Sequence, residues 1–364
     1  MYRVMVAGAG KIGSLIAGML AASKDYQVHL VDVNFSQEDV QHLLQKHSDL
    51  IQVCLDVTDE AAVASYLKKH QISAVISSLP YYLNGHIATA ACAANTHYFD
   101  LTEDISTTNQ VKAIAKGATT AFVPQCGLAP GFVNIVASSL ITALDTCRQA
   151  KLRVGALPLS TSHALQYALT WSTDGLINEY GNPCQALSQG ALVMLPPLEG
   201  LEVIRIAGIE YEAFNTSGGL GSLAQTYAGV IDSLTYKTLR YPGHCHHMRF
   251  LMQDLGLNHD RGTLKRILEN SLPKTYQDNV VIYVAVEGIL QHVLLEKTYV
   301  NTLQPKTISG IQWSAIQVST ASSVCAVVDL VLSHPAIYRG LVLQEQFDLT
   351  AVLANRFGEY FRVA

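Results

Sequence analysis

Hydrophobic and polar positions along the first third of the chain switch repeatedly between two periods. Short apolar runs occur at Tyr2 to Ala7, Val28 to Val31, Leu50 to Leu55, Ser73 to Leu79, Tyr98-Phe99 and Ala121 to Val123. Between them lie stretches with helical spacing: Ala61, Val63 and Leu67 after Asp59; Ile87, Ala91 and Ala94 after Asn84; then Val111, Ile114 and Ala115. Asp59 and Asn84 are expected to open their helices as caps. Strands separated by helices predict an α/β unit, a Rossmann-type doubly wound parallel sheet with right-handed crossovers. Ligands of such sheets bind beyond the carboxyl ends of the strands. The places to inspect are therefore Asp32, Asp56, Ser77 to Pro80, Asp100 to Asp104 and Gln125 to Gly131.

At about Lys151 the pattern changes. Extended runs at Lys151 to Leu157, Glu202 to Ile206, Leu234 to Tyr241 and Val280 to Val286, with helices between, predict a second α+β domain on a mostly antiparallel sheet. After Trp313 helical periodicity returns (Ser314 to Leu332, Leu349 to Tyr360) without further strand-helix alternation. The expected division is a first domain of residues 1–125 with a helical return of 311–364, and a second of 126–310.

The first apolar run feeds directly into Gly8-Ala9-Gly10-Lys11-Ile12-Gly13, and Asp32 closes the second. Strand, Gly-x-Gly-x-x-Gly turn, helix and acid together form the dinucleotide fingerprint in its βαβ context. Gly8 permits the tight turn, Gly10 the approach of backbone amides to a pyrophosphate, and Gly13 the close packing of helix on sheet. Lys11 and Ile12 complete the turn, and the helix start supplies the positive dipole end. An acid at Asp32 accepts from ribose hydroxyls and repels a 2′-phosphate. Val33-Asn34-Phe35-Ser36 offers no cation to rescue that phosphate, so NAD is expected over NADP. Asp56 and Ser78-Leu79-Pro80, at later strand ends, join the expected cofactor set.

Composition narrows the partners. A net charge of −5 with no basic cluster speaks against nucleic acid. Apolar runs such as Val280 to Val286 are too short to cross a bilayer, and an opening strand gives no expectation of a signal peptide. Seven cysteines without Cys-x-x-Cys spacing fit reduced thiols and a cytoplasmic location.

Several motifs then become recognisable. Ser77-Ser78-Leu79-Pro80-Tyr81-Tyr82, His97 to Asp104, Cys126-Gly127-Leu128-Ala129-Pro130-Gly131 and Gly175 to Tyr180 resemble the saccharopine dehydrogenase family. Thr216 to Gly219, Thr226 to Gly229 and Tyr236 to His244 resemble its lysine 6-dehydrogenase branch most. The resemblance runs in collinear order over essentially the whole chain. It implies two domains enclosing a cleft, NAD on the first, action on carbon–nitrogen bonds of lysine, saccharopine or related amines, and a homodimer. The chain departs from the family pattern at Leu159-Ser160-Thr161-Ser162-His163 and at His244-Cys245-His246-His247.

Oxidising an amine requires a carbon held against the nicotinamide, an anchored remote end and a proton acceptor. Alternation places Leu234, Tyr236, Thr238 and Arg240 on one strand face. Arg240 is either a bidentate anchor for a substrate carboxylate or half of a structural salt bridge. Tyr241 beside it and Ser172 join the substrate set, although Ser172 could equally be a helix cap. Glu103 and Asp104 are candidates for the amine end, the alternative being the acidic start of the next helix. His244 is a further candidate proton acceptor, against a satisfied cap or surface histidine. A metal is not expected: on a helix His244 and His247 share a face that His246 does not. Cys126 is not expected to act as a nucleophile, since hydride transfer needs none. Three readings follow: an NAD-dependent lysine 6-dehydrogenase-like enzyme; a saccharopine or carboxynorspermidine dehydrogenase type needing a second cationic anchor from Arg205, Lys237 or His163; or a non-catalytic NAD-sensing module.

Overall fold

The computed structural model describes residues 1–36 and 38–363; Gln37, and Ala364 at the end of the expected return, lie outside the described residues. The chain divides into two compact units, one of residues 1–132 with 307–311 and 317–362, the other of residues 133–306 with 312–316 and 363.

In the first unit strands and helices alternate as β1 (Tyr2–Ala7), α1 (Lys11–Ala22), β2 (Tyr26–Asp32), α2 (Glu38–Lys46), β3 (Ile51–Cys54) and α3 (Glu60–Lys69). They continue as β4 (Ala74–Ser77), α4 (Asn84–Ala94), β5 (His97–Asp100), α5 (Ile105–Ile114) and β6 (Ala121–Val123). The strands are parallel, in the order β6-β5-β4-β1-β2-β3. This is a doubly wound sheet in which β1 and β4 meet where the strand order reverses, the position at which such sheets take ligands. Met5, Val31, Val75, Tyr98 and Phe122 pack with Val63, Ile87 and Val111 of the crossover helices in one buried cluster. Burying these side chains stabilises by about 1.5–3 kcal/mol each.

The second unit contains α6 (Phe132–Thr142, its first residue counted with the first unit), β7 (Thr146–Pro158), α7 (Thr173–Gly181), β8 (Cys184–Ser188), β9 (Ala191–Leu195), β10 (Glu202–Ile206) and β11 (Ile209–Asn215). There follow the single turn α8 (Leu223–Thr226), β12 (Ser233–Arg240), α9 (His244–Arg249), α10 (Arg261–Ser271), β13 (Asp278–Leu290) and β14 (Val293–Leu303). The order is β10-β11-β12-β7-β13-β14, with β8 pairing β12 and β9; β12 and β7 are parallel and the other pairs antiparallel. The expected α+β class with a mostly antiparallel sheet is what the chain adopts. Tyr167, Tyr180, Phe214, Met248, Leu264 and Leu268 form the buried cluster shared by α7, α9 and α10.

A short ribbon, β15 (Lys306–Ile308) and β16 (Ile311–Trp313), precedes α11 (Ala315–Ser333), β17 (Gly340–Leu341) and α12 (Leu349–Ala354). Among the described residues α11 is the one helix long and apolar enough to cross a bilayer, and 78% of its apolar window is buried inside the protein.

Four local expectations need correction. Asn84 does not cap α4: a tight turn at Tyr81–Leu83 runs into the helix, and the Asn84 carboxamide oxygen, buried, accepts from Ser77 Oγ at 2.7 Å. The tail is not purely helical, because β17 adds in parallel to β6. The helix expected over Leu349 to Tyr360 breaks after Ala354 and resumes as a turn at Gly358–Phe361. Strands β8, β9, β11 and β14 have no counterpart among the expected runs; in β14 exposed and half-buried residues alternate on an edge, so no apolar run marks it.

Candidate functional site

The first candidate site lies at the carboxyl ends of β1, β2 and β4. Gly8 leaves β1 with φ +101°, a conformation side chains avoid, and a methyl carbon there would stand 2.7 Å from Ser78 O. A methyl on Gly13 would lie 1.9 Å from Gly8 O, so the third glycine is what allows α1 to close on the turn. Gly10 differs. A methyl there meets no heavy atom within 4 Å, and Gly10 caps α1 with no side-chain hydrogen bond and no acid in the first turn. The turn therefore presents open space at the amino end of α1, where a helix offers amide donors, the room and the donor set a pyrophosphate requires. Lys11 and Ile12, both half-buried, are the first two residues of α1.

Asp32 ends β2. Its Oδ2 accepts from the Ala9 amide at 2.7 Å and its Oδ1 from the Asn34 amide at 3.0 Å, so it ties the glycine turn to the second strand. Ser78 follows β4, its amide donating to Ala7 O at 2.8 Å, with half-buried Leu79 and exposed Pro80 next in the chain. Asp56, exposed beyond β3, accepts from the amide and hydroxyl of Thr58 at 2.9 and 2.7 Å; these bonds hold its carboxyl below the usual range.

The β5–α5 loop carries the acids. Asp104 is the N-cap of α5, its Oδ1 accepting from the Thr107 amide at 2.7 Å, so the helix-start alternative describes it, while half-buried Glu103 precedes it in the loop. The group that organises this end of the sheet is Asp100, the first acid of the Asp100 to Asp104 run. Fully buried, it accepts from the amides of Thr102 and Gln125 and from the Tyr98 hydroxyl at 3.0, 2.9 and 2.8 Å. Burial pushes its carboxyl up to about 6, against the opposing pull of those bonds. The Cys126 thiol is buried, bonded to Val123 O and pushed well above its ordinary value by burial, an environment that suppresses thiolate.

The second candidate site lies in the other unit, around the end of β12. Arg240 is 3% exposed. Its Nε donates to the Tyr180 hydroxyl at 2.9 Å and its Nη1 to Leu239 O at 2.8 Å, and its guanidinium carbon sits 5.0 Å from the Tyr167 ring centre. Burial opposes its charge, but the Tyr180 and Tyr167 hydroxyls and the Glu179 carboxylate outweigh this and hold its pKa above the ordinary value. Tyr167, Glu179 and Tyr180 received no role from the sequence; Glu179 and Tyr180 close the Gly175 to Tyr180 motif, and no short-range spacing connects them with Arg240.

His244 requires a correction as a proton acceptor. It is fully buried, with Nε2 3.1 Å from the Tyr180 hydroxyl and Nδ1 2.8 Å from Leu165 O. Burial, then the charge of Arg240, holds it down at about 3. Such an imidazole stays neutral and bonded at both nitrogens throughout the range in which a base would work. Its seat comes from Glu212, whose carboxylate accepts from the Gly243 and Cys245 amides at the start of α9. Tyr241 donates its hydroxyl to Pro158 O at 3.0 Å, and Ser172 is exposed and caps α7 through the Gly175 amide at 3.2 Å. Among the described residues no group of three or more His, Cys, Asp or Glu side chains gathers to hold a metal ion.

A doubly wound sheet with the glycine fingerprint, followed by a mixed-sheet α+β unit, defines the class of Rossmann-type dinucleotide-binding proteins. Within it, residues 4–122 match the family model described as the saccharopine dehydrogenase NADP binding domain, and residues 127–361 that of the saccharopine dehydrogenase C-terminal domain. The chain belongs to the saccharopine dehydrogenase family. It is 22% identical over 215 residues to alpha-aminoadipic semialdehyde synthase of Arabidopsis thaliana, covering 52% of this chain and 20% of that protein, so it spans a fifth of that relative. Its fold is similar to that of apo saccharopine dehydrogenase (L-Glu forming) from Saccharomyces cerevisiae, with a TM-score of 0.79 at 16% identity over 99% of this chain and 98% of the other.

Proposed function

We propose that this chain is a cytoplasmic, homodimeric, NAD-dependent dehydrogenase acting on a carbon–nitrogen bond of a basic amino acid. Its favoured substrate is lysine, whose C6 amine is oxidised to an imine with the hydride passing to NAD; water adds to that imine, ammonia leaves, and the resulting 6-semialdehyde closes on its own α-amine. The observation that carries this reading is the buried Arg240, a cation seated among aromatic rings and aimed by a tyrosine hydroxyl. A planar guanidinium so placed suits two-point recognition of a carboxylate.

The dinucleotide, when bound, supplies the hydride acceptor. The amides of the Gly8 to Gly13 turn would hold its pyrophosphate, and Asp32, Asp56 and Ser78-Leu79-Pro80 its remaining polar groups. NAD is favoured over NADP because Asp32 presents a negative charge and Val33 to Ser36 add no cation. The substrate amine must be uncharged before hydride leaves, because an ammonium has no lone pair to form the C=N bond. We assign its proton acceptor to Glu103, a half-buried carboxylate in the loop beyond the carboxyl end of β5, the end of the sheet at which such folds take their ligands.

A saccharopine-type substrate brings an additional carboxylate. Each cation considered for it has a partner: Arg205 with Glu210 at 3.0 Å, Lys237 with Glu202 at 2.8 Å, and His163 with Tyr167 O at 2.8 Å. This favours the lysine reading. The experiment is a turnover screen of lysine, ornithine, saccharopine and polyamines with NAD and with NADP, following reduced nicotinamide. Lysine with NAD as the preferred pair supports the proposal; saccharopine preference overturns the substrate, and no turnover of any amine favours the sensing module.

A further inference from the structure

Around the end of β12 the direction of each hydrogen bond is dictated by chemistry. A guanidinium only donates, so Arg240 Nε gives its proton to the Tyr180 hydroxyl oxygen at 2.9 Å. A backbone carbonyl only accepts, so His244 Nδ1, 2.8 Å from Leu165 O, carries the ring's proton. In the neutral ring Nε2 is then an acceptor, and Tyr180 3.1 Å away gives its single hydroxyl proton there. The chain of donors runs one way, from Arg240 through Tyr180 and His244 to Leu165.

We infer that Tyr180 and His244 are positioning residues that aim Arg240 at a substrate carboxylate. This rests on the reading of Arg240 as the carboxylate anchor. A phenol with no acceptor beyond it can turn its proton toward the guanidinium and repel it. With His244 behind it, the Tyr180 hydroxyl shows Arg240 only lone pairs. Tyr180 thus binds Nε and Leu239 O binds Nη1, while the Tyr167 ring lies 5.0 Å from the guanidinium carbon and limits its tilt. Among the described residues Nη2 meets no protein acceptor, so the Nη1–Nη2 end is the edge held ready for two parallel bonds to a carboxylate. His244 is itself held by Glu212 through the Gly243 and Cys245 amides, which extends the support to β11.

The test compares L-lysine with cadaverine, the same chain without the carboxylate, using NAD and the full-length protein. In Tyr180→Phe the loss is expected to fall mainly on KM for lysine, which rises about tenfold to a hundredfold, the range for a lost bond to a charged group. The lysine-to-cadaverine ratio of kcat/KM collapses by the same factor. His244→Leu behaves alike, while His244→Gln, whose side-chain oxygen still accepts from Tyr180, regains most of the ratio. These two carry the test if Tyr180→Phe does not fold. NMR of isotope-labelled histidine supplies a readout independent of turnover: His244 is expected as the neutral Nδ1–H form, with an Nε2 signal that moves in Tyr180→Phe. An unchanged ratio in a folded Tyr180→Phe, or the opposite tautomer, overturns the relay. If wild type oxidises neither amine, or prefers cadaverine, the anchor reading of Arg240 fails instead, and the histidine spectrum still decides the geometry.

Discussion

Two glycines of one turn are expected to respond oppositely to the same added methyl. At Gly13 a methyl carbon stands 1.9 Å from Gly8 O, 3.0 Å from its carbon and 3.3 Å from Ser78 Cβ. The obstacle is backbone, so α1 must lift from the sheet, at a cost of about 3 kcal/mol or more. At Gly10 the backbone is extended, with φ −71° and ψ −176°, and nothing lies within 4 Å of the methyl. Restricting the unfolded chain stabilises Gly10→Ala by about 0.4–1 kcal/mol, and replacing a cap glycine by alanine costs a similar amount. The net change is within about 1 kcal/mol, or about 3 °C in Tm. If the pyrophosphate takes that open space, Gly10→Ala should weaken NAD binding by at least about tenfold, a loss of about 1.4 kcal/mol. Calorimetric titration with NAD alongside thermal melts separates the two effects. A Gly10→Ala protein that binds NAD as wild type does, or a Gly13→Ala protein with unchanged Tm, would refute the reasoning.

Further consequences concern charge. Asp32→Ala should weaken NAD and narrow or reverse the preference over NADP in paired titrations; an unaltered ratio removes Asp32 from cofactor choice. Arg240→Lys should lower kcat/KM for lysine by about tenfold or more, since an ammonium cannot make a planar two-point contact; equal efficiency contradicts the anchor. Because the folded His244 is held at about 3 against an ordinary 6.5, its stabilising contribution is fully present above pH ~6.5 and is lost as pH falls toward 3. Asp100, raised to about 6, works the other way, its contribution being lost as pH rises from about 4 to 6. The difference between wild type and His244→Gln isolates the histidine: their gap in unfolding free energy should shrink by about 2 kcal/mol from pH ~7 to ~5, and a constant gap in denaturant titrations would contradict the buried neutral ring.

What the sequence made legible was local. The β1–turn–α1 segment and Asp32 lie within one βαβ unit, where spacing alone carries the geometry, and the alternation that put Arg240 on a buried face spans eight residues of one strand. Helix caps are partly legible: Asp59 caps α3 as expected, accepting from the Ala62 amide, whereas at Asp104 and Ser172 the same acid or hydroxyl before a helix reads as catalytic or as a cap, and the Thr107 and Gly175 amides decide for the cap. The rest depended on distant segments. Tyr180 meets residues 60 and 64 positions away, and His244 meets a carbonyl 79 positions back. Asp100 looked like one more acid in a run because the Gln125 amide that claims it comes from the next crossover. His244, beside Pro242-Gly243 and Arg240, had the neighbours of a working base, and only its burial shows otherwise.

The most direct trial of the account is a crystal structure of the protein with NADH and L-lysine. The account predicts the pyrophosphate on the amides of the Gly8 to Gly13 turn and the lysine carboxylate paired in plane with the Nη1–Nη2 edge of Arg240. A coenzyme bound away from that turn, or a carboxylate that leaves Arg240 untouched, would contradict it.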